Sequence, residues 1–226
     1  MKIQKLCVLV FLMSTINLFS QDNYLVEDPF EQLIIRGVTL INGDGSPPRG
    51  PVDIVVENNT IVGIEVVGYP GVEIKESSRP KLKKGGTELD ASGMYLLPGF
   101  IDMHGHIGGA SQGASPEYVF KLWMAHGVTT VRQPSGRGVK EVNELKRKSK
   151  NNEIVAPRIF GYTGFGQGAE KPISTEEEAR DWVRNNAKNG ADGIKFFGAE
   201  PEIMSAALDE NKKLGLGSAC HHAQLS

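Results

Sequence analysis

From residue 94 onward, short apolar segments alternate with helical segments of about a dozen residues, and no other feature of the chain constrains its fold as strongly. Strands separated in this way are the pattern of βα units around a parallel sheet. Five strands are predicted, at Tyr95 to Met103, Gly127 to Arg132, Ile154 to Tyr162, Ala191 to Phe197 and Leu216 to His221. Helices are predicted between them at Pro116 to Ala125, Val139 to Lys148, Thr175 to Lys188 and Pro201 to Lys213. The third starts with Ser174 or Thr175 as N-cap and Glu177 or Glu178 three residues on, a capping box for the first-turn donors. The fourth carries Pro201 in its first turn and stops at Gly215, both in their favoured places. Five strands amount to five-eighths of a (β/α)8 barrel, whose usual size is ~250 residues. The fold class expected is therefore α/β, a partial TIM-like barrel.

Ahead of this series the pattern is different. Residues 33–67 hold β-branched blocks separated by the turn signals Asn42-Gly43-Asp44-Gly45 and Asn58-Asn59, which reads as a small antiparallel β unit. Residues 70–88, rich in Lys, Gly, Ser and Pro, read as an exposed excursion. At the start, Lys2 and Lys5 precede an apolar stretch from Leu6 to Phe19 that is too short to span a bilayer, so residues 1–20 read as a secretory signal peptide. The organisation expected is signal peptide 1–20, N-terminal β-sandwich portion 21–93 and the first five βα units 94–226, in a periplasmic or secreted protein with no membrane contact after cleavage. Balanced charge, with 25 Lys and Arg against 27 Asp and Glu, gives no electrostatic footprint for nucleic acid. Two cysteines, one of them Cys7 in the leader, cannot build a disulfide framework.

The chemistry begins at Pro98-Gly99-Phe100-Ile101-Asp102-Met103-His104-Gly105-His106. Side chains two apart on a strand share a face, so His104 and His106 are expected to project together with Gly105 leaving room between them. Two imidazoles at the C-terminal end of a barrel strand can share one divalent ion. The bland alternative, an HxH that merely caps a strand end, would be the better reading for an isolated pair.

With these residues in view, the chain resembles the metal-dependent amidohydrolase superfamily, especially its imidazolonepropionase-like and prolidase-like members. The likeness rests on "LINGDG", "NNTIVGI", "LLPGFIDMHGHIG", "GVTTVR" and "GADGIKFF", followed by a histidine at the end of a fifth strand, in the family's order. It implies a β-sandwich flanking a (β/α)8 barrel, and hydrolysis of an amide, cyclic amide or dipeptide C–N bond with metal-activated water. By this resemblance His104 and His106 match the first-strand metal ligands. Lys195 matches a fourth-strand lysine that many members carboxylate so that it bridges two metals, a modification that needs the neutral amine. His221 matches the fifth-strand ligand, with His222 facing away. The cofactor implied is a divalent metal, zinc foremost, as one ion or two. Asp102 is the expected orienter of the histidines. The catalytic aspartate, like a sixth-strand histidine, is expected beyond Ser226, so the 226-residue chain is expected to be an N-terminal fragment, inactive and prone to aggregate alone. Where the family usually has an acid after "TTVR", this chain has Gln133. The partner expected is a small-molecule or peptide substrate, with oligomerisation left open. A noncatalytic metal-binding remnant and a phosphate-binding α/β domain stay open as alternatives.

Four features receive structural readings. The stretch Gly161 to Gly168 lacks the spacing of a phosphate loop and reads as a mobile glycine-rich loop near the site. The basic run Lys146 to Lys150 reads as a solvated helix end, and His126 as a partner of a helix C-terminus. Cys220 is expected to face away from His221 as a buried, inert thiol.

Overall fold

The computed structural model describes residues 30–221; residues 1–20, read above as a signal peptide, with Cys7, and His222 lie outside the described residues. Five strands form the first sheet: β1 (Gln32–Leu40), β2 (Arg49–Glu57), β3 (Thr60–Val66), β4 (Thr87–Asp90) and β5 (Tyr95–Leu96). The chain reverses between β2 and β3 on Asn58 and Asn59, both at positive φ (48° and 64°). That is the two-residue turn whose twist suits a hairpin. The sheet is mixed rather than purely antiparallel. β2 and β3 pair antiparallel as expected, but β4 and β5 both lie parallel to β1. Parallel pairing needs a long crossover, and residues 67–86 supply it. Val38, Leu40, Val52, Ile54 and Ala91 make its core.

The crossover is not a bare excursion. Gly37, at φ 72°, bulges β1 and donates its N–H to Asp53 Oδ1 at 2.9 Å. Asp53 is fully buried and also accepts from Arg36 in β1 and from Arg79 in the crossover at 2.9 to 3.0 Å. The crossover is thus pinned to the sheet by a buried carboxylate.

The second sheet is parallel throughout, in sequential order: β6 (Phe100–Asp102), β7 (Val128–Gln133), β8 (Arg158–Gly164), β9 (Gly193–Phe196) and β10 (Gly217–Cys220). Helices α1 (Pro116–Ala125), α2 (Val139–Lys150), α3 (Glu176–Lys188) and α4 (Pro201–Lys213) connect them. Five strands in this order with helices on one side form a curled half-barrel. Two clusters seal its outer face. Phe120, Val131, Val142 and Ile159 pack α1 and α2 onto β7 and β8, and Trp182, Val183, Ile194, Phe196 and Ala207 pack α3 and α4 onto β9.

Two strands depart from the sequence reading by more than two residues at a boundary, the others by one or two. The run from Tyr95 to Met103 is not one strand, because Pro98 lacks a donor and Gly99 lies so close over Thr129 that a Cβ would overlap it. Tyr95 and Leu96 join β1, and only Phe100–Asp102 enters the half-barrel. The third strand begins at Arg158 rather than Ile154, since Pro157 and the helix-end turn before it delay pairing with β7.

Candidate metal centre

β6 ends at Asp102, so His104 and His106 stand on the turn beyond the strand rather than on the strand itself. Their convergence therefore does not come from strand alternation. Three hydrogen bonds set the turn. Asp102 Oδ1 accepts the His104 N–H at 2.8 Å, Gly105 N–H donates to the Arg132 carbonyl at 3.1 Å, and Arg132 Nε donates to the Met103 carbonyl at 2.6 Å. Asp102 thus orients the backbone of His104. Gly105 is pressed onto Trp123 and Val131, where any Cβ would overlap both side chains. The glycine between the histidines is there for this close seating.

The His104 and His106 rings meet edge to face with centroids 5.5 Å apart. The His221 ring, just past β10, lies parallel to His104 at 6.4 Å and edge-on to Phe197 at 4.9 Å. Imidazoles sharing a zinc ion at 2.0–2.1 Å place their ring centres roughly 5 Å apart, so the His104–His106 pair stands near ligand spacing and the His104–His221 pair is wider. Lys195, on β9 between the Gly164 and Ala219 registers, is 2% exposed. Its ammonium lies 5.9 Å from the Phe197 ring centre, and among the described residues it has no carboxylate partner. Burial, followed by the charges of Lys195, His106, His221 and Arg132, pushes the His104 imidazole below its ordinary pKa. A neutral ring has a lone pair to donate. These four side chains, His104, His106, Lys195 and His221, all come to the C-terminal rim of the half-barrel. Among the described residues no three His, Cys, Asp or Glu side chains are grouped closely enough to hold a metal ion as they stand.

Three expectations are corrected here. Cys220 is exposed, because β10 is an edge strand among the described residues and its outward face has no cover. The loop over 164–168 is tied down rather than mobile. Gln167 donates to the Arg137 carbonyl at 2.9 Å and accepts from Gly164 and Gly136, while Trp182 Nε1 donates to the Gln167 carbonyl at 3.3 Å. His104 and His106 lie past their strand, as described above. The other two structural readings agree with the chain: the His126 ring nitrogen lies 2.7 Å from the Leu122 carbonyl, and the basic end of α2 lies at the surface, with Lys146, Arg147 and Lys148 paired to Asp192, Glu144 and Glu153.

Residues that the sequence reading did not single out also shape the rim. Arg132 stacks over the Tyr162 ring at 5.1 Å, filling the interior beneath the histidines. Tyr162 in turn lies across Gly193 and Gly217, where any Cβ would overlap it. Arg137 grips the Gly108 carbonyl and Glu141, fixing the loop after His106 to the start of α2. The glycines of Ser135-Gly136-Arg137-Gly138 at a helix start were the available signal. A cleft of about 470 Å³ opens between these loops, lined by His106, Gln133, Ser135 and Arg137.

No family profile matches the chain. It is 37% identical over 160 residues to the N-acyl-D-aspartate deacylase of Alcaligenes xylosoxydans xylosoxydans, spanning 70% of this chain and 26% of that protein. It is 52% identical over 107 residues to adenine deaminase 2 of Desulfotalea psychrophila, spanning 40% of this chain and 18% of that protein. Among solved structures, a putative prolidase from Bifidobacterium longum superposes with a TM-score of 0.66 at 24% identity, over 86% of this chain and 50% of that one. The chain therefore spans about a quarter or less of these curated relatives and half of that barrel protein.

Proposed function

This chain belongs to the amidohydrolase superfamily, and we propose that it supplies the first half of the active site of a hydrolase that cleaves a C–N bond of an amide, cyclic amide or dipeptide. The observation that carries this reading is that His104 lies beside both His106 and His221, on the rim that also holds the buried Lys195, which has no acid partner among the described residues. His104, His106 and His221 would hold a divalent ion, zinc first, and Lys195, if carboxylated, would become an anionic oxygen ligand able to serve a second. Such an ion, when bound, supplies Lewis acidity for the scissile carbonyl and lowers the proton affinity of water.

The chain's own residues do the rest. Asp102 and Arg132 hold the His104 turn by its backbone, and Trp123 and Val131 give Gly105 a rigid seat, so both imidazoles arrive preorganised. Phe197 walls one side of His221 and helps line an apolar cavity of about 160 Å³ with Met204 and Leu208, a place for an apolar part of a substrate. The acid–base group that moves the proton to the leaving nitrogen is assigned to a residue after 226, in keeping with the span of the relatives.

The test is to purify the natural chain at full length and measure metal by elemental analysis. Turnover is then assayed on a panel of N-acyl amino acids, dipeptides and cyclic amides with and without a chelator. Metal-dependent hydrolysis is expected, with H104A and H106A each losing at least a hundredfold. Full turnover in metal-free protein would overturn the proposal, and stoichiometric metal without turnover on any substrate would favour a noncatalytic metal-binding protein. We also assign export to residues 1–20; fractionation of cells expressing the natural gene checks it, with the protein found outside the cytoplasm.

A further inference from the structure

Gln133 ends β7 with only 2% of its surface exposed. Its amide nitrogen donates to the Ser135 carbonyl, while its Oε1 is buried and has no hydrogen-bond partner among the described residues. A buried acceptor left unpaired costs roughly 1–3 kcal/mol, so a group of this kind calls for an explanation. With the nitrogen already spent, only a donor can satisfy it.

Strand alternation limits where that donor can come from. Gln133 shares a face of β7 with Val131, which packs against the helices, and not with Arg132, which faces the barrel interior under the histidines. It is therefore turned away from where a substrate would lie and toward the loop that carries His106. The Gly105 to Arg132 hydrogen bond holds that loop against the end of β7. In the cleft that Gln133 lines, Arg137 has its donors on Gly108 and Glu141. The His106 ring makes no hydrogen bond among the described residues, and it has one nitrogen to donate whenever the other holds a metal. The other side-chain donors lining this cleft are the Gln112 amide, on an exposed residue, and Ser135 Oγ.

We infer that Gln133 is a positioning residue for the metal site, its Oε1 accepting the ring N–H of His106 so that the opposite ring nitrogen is presented to the ion. The inference rests on the reading of His106 as a ligand. A neutral amide in this place fixes the tautomer without adding negative charge, so His106 is held in orientation but made no more basic than by a carbonyl. Partners of this kind are worth about 10–100-fold in metal affinity.

The experiment measures zinc affinity of the full-length chain by competition with a chromophoric chelator, for wild type, Q133L, Q133N, Q133E and S135A. Q133L removes the acceptor at similar volume, and Q133N draws it back by one methylene. Both are expected to weaken zinc by 10–100-fold. The melting temperature of the metal-free Q133L protein should be unchanged or raised, since a buried orphan has been deleted. Q133E keeps an acceptor and is expected to bind at least as tightly as wild type, and S135A to match wild type. In zinc-loaded wild type, the His106 ring N–H is expected as a sharp, exchange-protected proton in NMR spectra, lost in Q133L. Wild type binding zinc while Q133L and Q133N bind equally well overturns the inference alone. A loss in S135A equal to that in Q133L does so too. A wild-type chain that takes up no zinc overturns the ligand reading beneath it.

Discussion

At the scale of single residues, the chain spends its strictest requirements on backbone seating. Gly105 is the clearest case, since the histidine turn rests directly on Trp123 and Val131. G105A is expected to cost about 1–3 kcal/mol by overpacking and to separate the two imidazoles. Zinc affinity should therefore fall more steeply than the midpoint of urea unfolding, and a W123L background should restore part of both. Asp53 gives a second test. Burial pushes its carboxyl up, but the Arg79 guanidinium, the Gly37 N–H and the Arg36 guanidinium outweigh this and hold it below the usual carboxylate range. A carboxyl whose pKa is lower folded than unfolded stabilises the fold fully above its unfolded value of ~3.9 and loses that contribution as pH falls through the folded value. Wild type should therefore lose stability below about pH 4. D53N should be weaker by about 3 kcal/mol at neutral pH, because it leaves two guanidiniums without their shared anion, and its stability should change less in the acid window. Urea titrations at several pH values check both.

At the scale of elements, local chemistry and tertiary packing contribute separately. Helix α3 is capped on both sides of its first turn. Thr175 Oγ1 accepts the Glu178 N–H at 3.2 Å, and the Glu178 carboxylate reaches back to the Ser174 N–H and hydroxyl. Lys171 and those two Ser174 donors hold the Glu178 carboxyl at about 2. T175A is expected to cost about 1 kcal/mol, read as a shift in the urea midpoint with an unchanged slope. This cap was legible in the order Ser-Thr-Glu-Glu-Glu, as were the bounds of α1 and α4, each opened by a proline. The split of the Tyr95 to Met103 run was not legible. Its residues suit a strand throughout, and only the competition between two sheets for that segment divides it at Pro98-Gly99.

At the scale of the molecule, the edge strands β3 and β6 keep apolar side chains exposed among the described residues. On β6 and just after it, Phe100, Ile101 and Met103 are 54% to 62% exposed, and on β3 Ile61, Val62 and Val66 are 56% to 61% exposed. Unpaired edges with apolar faces are templates for self-association. The 226-residue chain is expected to associate at micromolar concentration, and I61K and I101K to reduce this without lowering stability by more than about 0.5 kcal/mol. Sedimentation velocity over a concentration series checks it. A monomer at every concentration would mean that these edges are covered in another way.

What the sequence by itself determined was the alternation of strands and helices, four helices with nearly their full extent, and a parallel α/β half-barrel ahead of which stands a small β sheet. Apolar periodicity and capping chemistry are local, so a single chain displays them. It also picked out the histidines and the lysine that come together on one rim. Tertiary structure alone decided how they meet. His104 and His106 converge because Asp102, Arg132 and a seat on Trp123 and Val131 shape a turn, not because a strand alternates. Tertiary structure also decided that β4 and β5 run parallel to β1, that Cys220 stays open and that Gln133 keeps an unpaired oxygen. Each of these depends on which distant segment occupies a neighbouring position, and pairing over dozens of residues leaves no mark in local spacing.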